Sequence, residues 1–183
     1  MTVTPVDYEL LLPDGWFRIG IEPASRERSV GALVDRRFGG VDDAPHFKRR
    51  LRDDLLEQAA AAYDQGGIEL YLSMQQAGAL TVPASLLVTL LPPGRVSEAA
   101  DASVVELAAG TAWRRRGCTD AAPDDSEALP SVTLDYQVPV PGTGTHLLLT
   151  FSTPLVQIAD AMVELFDAVA GSLRWRAGNS GCE

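Results

Sequence analysis

Trp113, Arg114, Arg115, Arg116 and Cys118 stand together in "WRRRGC". Neighbouring guanidinium groups favour a thiolate, so Cys118 is a candidate nucleophile. A cysteine enzyme also needs a base to take the thiol proton, and no histidine is fixed beside Cys118 in the sequence. The expectation is an ordinary thiol near an exposed strand end, with the arginines offsetting the acidic segment that follows. Trp and Arg are also the types enriched where proteins bind proteins. Trp113, Arg114, Arg115 and Arg116 are therefore the first candidates for a partner-binding patch.

Other stretches offer less. "DDAPH" brings Asp42, Asp43 and His46 close, but nothing elsewhere completes a metal shell, and acids before a helix suit its dipole. The chain has two histidines and two cysteines, with no C-x-x-C and no H-E-x-x-H, so no metal site is expected. "PGTGTH" holds G-x-G between two strands, where a hairpin turn is expected and a dinucleotide loop is not. No G-x-S-x-G is present. Catalytic residues, cofactor ligands and metal ligands are all expected to be absent.

A second candidate lies near the C-terminus. Gln157, Asp160, Glu164 and Asp167 follow spacings of three, four and three, one face of a helix, and no Lys or Arg lies between Pro154 and Leu173. Like charges one turn apart disfavour a helix slightly, and Asp167 lies near its negative end. Such a row is either solvated or neutralised, by a basic partner or by the chain's own Arg-rich segments. Asp160, Glu164 and Asp167 join the partner-binding set on the second reading.

These side chains need elements to hold them. "VDYELLL" alternates, and "WFRIGI" follows Pro13-Asp14-Gly15, so residues 6–12 and 16–21 read as a hairpin with Trp16 anchored in the core. "SRERSVGALVDRRF" reads as a helix with Ser25 as its N-cap. "HFKRRLRDDLLEQAAAAYDQGG" reads as a longer one, with Phe47, Leu51, Leu55, Ala59 and Tyr63 as its apolar stripe and i,i+4 pairs Arg49–Asp53 and Arg50–Asp54. "IELYLSMQQ" alternates, and "TVPASLLVTLL" is apolar on both faces, so layers are expected on both sides of it. Within residues 95–130, "SVVELAAG" suits a short helix by composition, but Val104-Val105 and "TAWRRRG" suggest two short strands or one kinked strand, and strands are favoured; "TDAAPDDSEALP" reads as a mobile acidic loop. "SVTLDYQVPV" and "THLLLTFS" form a second hairpin. A final helix follows, with Thr153 as N-cap, Pro154 at its first position, and Ile158, Met162, Leu165, Phe166 and Val169 buried.

The order is ββ-αα-ββ-(β/β)-ββ-α. It predicts an α+β fold: a mainly antiparallel sheet flanked by helices on both faces, an α/β/α layered sandwich. The chain of 183 residues suits one domain, residues 1–176, followed by a flexible tail, 177–183. A formal net charge of −10 opposes nucleic acid and anionic membrane surfaces as partners. No run approaches the length of a membrane span, and Asp7 and Glu9 stand where a signal peptide would be basic, so a cytoplasmic protein is expected.

Three pieces carry a family resemblance: "LPDGW" after the first strand, "LLLTFSTP", and "FDAVAGSLRW". Together they resemble the PsbP-like superfamily. That group includes the extrinsic photosystem subunit, a Ran-binding nuclear-import factor, mycobacterial LpqN-type lipoproteins and chaperones for secreted toxins. The match covers about a third of the chain, at its two ends. Phe166, Ser172, Leu173 and Trp175 would belong to the closing helix and terminal strand. The helix pair at 25–65 is long for the smaller members, and the export signal and lipobox cysteine of the LpqN-type proteins are not seen in this sequence. The resemblance implies an antiparallel sheet between helices and a non-enzymatic adaptor or chaperone.

Two functions stand at this point. One is a cytoplasmic protein-interaction module, an adaptor or secretion-associated chaperone with a protein partner. The other is a small-molecule-binding protein or enzyme using a cleft between sheet and helices. A deep pocket with converging polar groups favours the second, and a flat or grooved apolar patch favours the first.

Overall fold

The computed structural model describes residues 5–38, 45–77, 80–95, 101–119 and 130–177. Along the chain they form β1 (Pro5–Glu9), β2 (Trp16–Ile19), α1 (Pro23–Arg37), α2 (Pro45–Asp64), β3 (Gly67–Ala77) and β4 (Leu80–Leu91). Then come β5 (Ser103–Leu107), β6 (Gly110–Thr119), β7 (Ser131–Pro139), β8 (His146–Thr153), a 3₁₀ turn (Val156–Ile158), α3 (Ala159–Gly171) and β9 (Arg174–Ala177). One sheet runs β2-β3-β4-β8-β7-β6-β5, and β1 pairs separately with β9. Every described pairing is antiparallel. The fold is α+β with a mainly antiparallel sheet and three helices among the described residues.

Alternation along β4 divides the core. Leu86 and Val88 join Leu134 and Tyr136 of β7, Leu149 and Phe151 of β8, and Phe166 and Val169 of α3. Phe151 stacks on Phe166 with ring centroids 4.9 Å apart. Leu87, on the other face of β4, packs against a second cluster. That cluster combines Ile19 of β2 and Leu70 and Leu72 of β3 with Val30, Leu33 and Val34 of α1 and Leu55, Ala59 and Ala62 of α2. α1 and α2 thus attach to the β2–β3 end, and α3 to the middle of the sheet.

The second hairpin and the two strands favoured within 95–130 form as expected. The first hairpin does not. β2 pairs with β3, and β1 pairs with the C-terminal β9. Residues between β1 and β2 cross the first core cluster instead, where Leu10 and Leu12 pack. The Leu11 N–H donates to Ser172 Oγ at 2.9 Å and holds that path. The turn at Pro13–Gly15 survives, closed by Trp16 N–H to the Pro13 carbonyl at 3.4 Å. Gly15 has φ +85°, a conformation that favours glycine, and a Cβ there would sit tightly at 3.2 Å from Gln75 Cα.

Helix ends also differ from expectation. α1 starts at Pro23, and Ser25 sits inside its first turn with its hydroxyl on the Glu22 carbonyl at 3.3 Å. Thr153 stays in β8, where it donates to the Pro83 carbonyl at 2.8 Å and accepts the Leu155 N–H at 3.2 Å. With Thr153 so held, the 3₁₀ turn intervenes and α3 begins only at Ala159. Ile158 is exposed as a result, and Val163 and Ala170 take buried places in α3. On α2, Leu55 and Ala59 are buried as the stripe predicts, but Phe47 is 72% exposed and Tyr63 43%. Neither Arg49–Asp53 nor Arg50–Asp54 forms an ion pair among the described residues. Ordering two long exposed side chains costs about as much as such a pair returns. The acidic loop's residues 120–129, the tail 178–183, Asp42 and Asp43 lie outside the described residues.

Candidate functional site

Strand alternation splits the "WRRR" stretch. Register pairs Arg114 with Tyr136 and Arg116 with Leu134, on the face toward α3. Trp113 and Arg115 pair with Gln137 and Asp135 on the other face. The arginine stretch and the acidic row therefore meet. Arg114 Nε lies 2.8 Å from Asp167 Oδ1 and its second nitrogen 3.0 Å from Oδ2, a two-pronged contact. Tyr136 donates its hydroxyl to the same Asp167 oxygen. Arg116 reaches Asp160 at 2.9 Å. The chain's own arginines neutralise two members of the row, and Glu164 stays exposed without an ion pair among the described residues. The Tyr136 hydroxyl is pushed well above its ordinary pKa, first by burial and then by its bond to the Asp167 carboxylate. The Arg114 guanidinium is also raised, chiefly by that carboxylate.

A similar hub ties the first strands down. Glu69 on β3 accepts the hydroxyls of Tyr8 and Tyr71, the latter at 2.8 Å, and pairs with Arg18 of β2. Burial and the Glu69 carboxylate push both tyrosines above their ordinary range. Both hubs hold together elements distant in the chain.

The opposite face of the β5–β8 half of the sheet carries Trp113 beside Val104, Gln137 and Leu148. Val104 is 63% exposed. The Trp113 ring tilts against His146 at 5.7 Å, and burial lowers the His146 pKa. Arg115 is occupied by Asp135 at 3.1 Å. Cys118 is a free thiol on the exposed end of β6.

On that same face, toward β3, the sheet and α2 enclose an open groove of about 540 Å³. Its helix wall is Leu55, Gln58, Ala61 and Ala62. Its floor is Leu72, Pro83, Leu87, Ser85, Thr150 and Ser152, from three adjacent strands. The small side chains of Ala61 and Ala62 make up part of the helix wall. No Asp, Glu, His, Cys, Lys or Arg lines it among the described residues. Its polar groups are amides and hydroxyls, able to bond a neutral polar chain and unable to transfer protons near neutral pH. Among the described residues, the lining offers Ser73, Ser85 and Ser152 no histidine or carboxylate.

The sequence reading missed this groove because its wall and floor come from distant segments. The one local signal was the "AAAA" run at 59–62, where a helix face is smooth. No protein-family model matches the chain, and no curated protein is significantly similar to it.

Proposed function

We propose that the protein is a non-enzymatic, cytoplasmic protein-interaction module, an adaptor or secretion-associated chaperone, that receives an apolar segment of a protein partner in the groove under α2. One observation carries the reading: the groove is open, mainly apolar and lined by no titratable side chain among the described residues. General acid–base and nucleophilic chemistry need such groups, whereas docking of an uncharged apolar segment does not. The exposed free Cys118 suits a reducing compartment. A net charge of −10 supports a protein partner over nucleic acid or an anionic membrane.

The PsbP-like resemblance belongs to the same proposal. It is supported by the antiparallel sheet, and by α3 following β8 and leading into β9. The layered α/β/α arrangement is supported by β4, whose Leu86 and Leu87 join different helix-bearing clusters.

The groove's volume also suits an uncharged small molecule, which is the second reading. Placing a photo-crosslinking amino acid at Ala61 in cells separates the two. The module reading expects one protein adduct of defined mass, absent when the crosslinker stands at exposed Arg28 of α1. No protein adduct, together with a small molecule that co-purifies with the wild type and is lost from Ala61→Phe, would overturn it.

A further inference from the structure

We infer that the occupant of the groove is an extended apolar peptide segment with an acidic flank, lying with its acidic end against Arg37 and Arg50; this rests on the module reading above. The groove does not stop at Leu55. Ser73 and Pro83 also line a second depression of about 420 Å³, between α1 and the start of α2. Its other lining residues are Arg37, Phe38, Phe47, Arg50, Leu51 and Asp54. The combined channel therefore has a direction. Among the described residues, the α2 half is neutral, and the far half holds two guanidinium groups and one carboxylate.

Further cations gather at that end. Arg36 lies over the Phe17 ring at 4.7 Å, and the Lys48 ammonium lies 5.9 Å from the Phe38 ring centre. Neither Arg37 nor Arg50 has an ion-pair partner among the described residues. An acidic side chain or terminal carboxylate placed there gains charge-assisted hydrogen bonds that the neutral half cannot supply. The protein as a whole is strongly acidic, so this preference runs against the overall field and is specific to the site.

The polar groups of the neutral half select a peptide over a fatty acid, which is also an apolar chain with one anionic end. Gln58, Gln65, Ser85, Thr150 and Ser152 line that half. Covering them without partners leaves their donors and acceptors unsatisfied, which disfavours an occupant that offers none. A peptide backbone offers both donors and acceptors along its length, and an acyl chain offers none. The length also fits. Phe47 to Ala62 spans about 22 Å of helix, the reach of about seven residues of extended chain.

The test is selection of random ten-residue peptides on the immobilised full chain, on Arg37→Glu/Arg50→Glu, and on Ala61→Phe. All three positions are exposed, and thermal unfolding of each variant is checked against the wild type. Wild type is expected to enrich peptides with an apolar run and Asp or Glu on one flank. The charge-reversed variant is expected to keep the apolar run and lose the acidic flank, binding wild-type-selected peptides roughly tenfold more weakly. Ala61→Phe is expected to enrich nothing. Uncharged or basic flanks on the wild type, with enrichment still lost in Ala61→Phe, overturn this inference and leave the module reading standing. No enrichment on the wild type overturns both, as does binding of palmitate that Ala61→Phe abolishes when no peptide is enriched.

Discussion

Asp167 shows how far the setting of one residue changes its meaning. On its helix it is an unfavourable acid near the negative end of a dipole, but across the sheet it grips Arg114 with both oxygens and accepts Tyr136. Asp167→Lys should therefore lower stability by about 1–3 kcal/mol, because it sets two cations face to face and strips a partner from Tyr136. The exchange Arg114→Asp with Asp167→Arg should recover part of that loss in a double-mutant cycle read by urea unfolding. An unchanged urea midpoint in Asp167→Lys would show that the contact contributes nothing. The tyrosines give a pH signature. Tyr8, Tyr71 and Tyr136 all have folded-state pKa values raised above their ordinary 10.0. Above that value the unfolded chain has lost protons that the folded chain keeps, so stability should fall as pH rises past about 10. His146 works in the opposite sense. Its pKa is lowered by burial, so its contribution should fade as pH drops below about 6.5, and Trp113 fluorescence is a local reporter of that change.

Trp16 belongs to the scale of the element it starts. It is half-buried against the first core cluster, and its indole N–H is shut away without a partner among the described residues. Trp16→Ala should cost about 3 kcal/mol through lost packing. Trp16→Phe, which deletes the orphaned donor and keeps a ring, should cost much less. Equal losses in both would place the effect outside packing. The Trp16 setting also shows what local patterns can and cannot convey. Alternation identified the β7–β8 hairpin and β4 as an element apolar on both faces, because side-chain period two is a property of the strand itself. It could not identify β9 as the partner of β1, since that choice depends on a contact between the two ends of the chain. Capping residues misled where another use for the hydroxyl won: Thr153 spends its oxygen on Pro83 and Leu155. The candidate binding residues were legible as types but not as partners of one another. Arg114, Arg116, Asp160 and Asp167 satisfy one another, which only the β6–α3 approach reveals.

Across the whole molecule, the described ion pairs hold elements together, while the groove under α2 is mainly apolar. α1 and α2 cover the β2–β3 end, and the groove opens where α2 leaves the floor formed by β3, β4 and β8. On the proposed function, a partner's apolar segment binds in this groove. The most direct measurement is amide chemical-shift mapping of the full chain titrated with an apolar, acidic-flanked decapeptide recovered by selection on it. The largest shifts should fall at Gln58, Ala61, Ser85, Thr150 and Ser152, and Ala61→Phe should remove them without altering its own fold. Shifts concentrated at Trp113, Gln137 and Leu148, or around Glu164, with the groove amides unmoved, would contradict it.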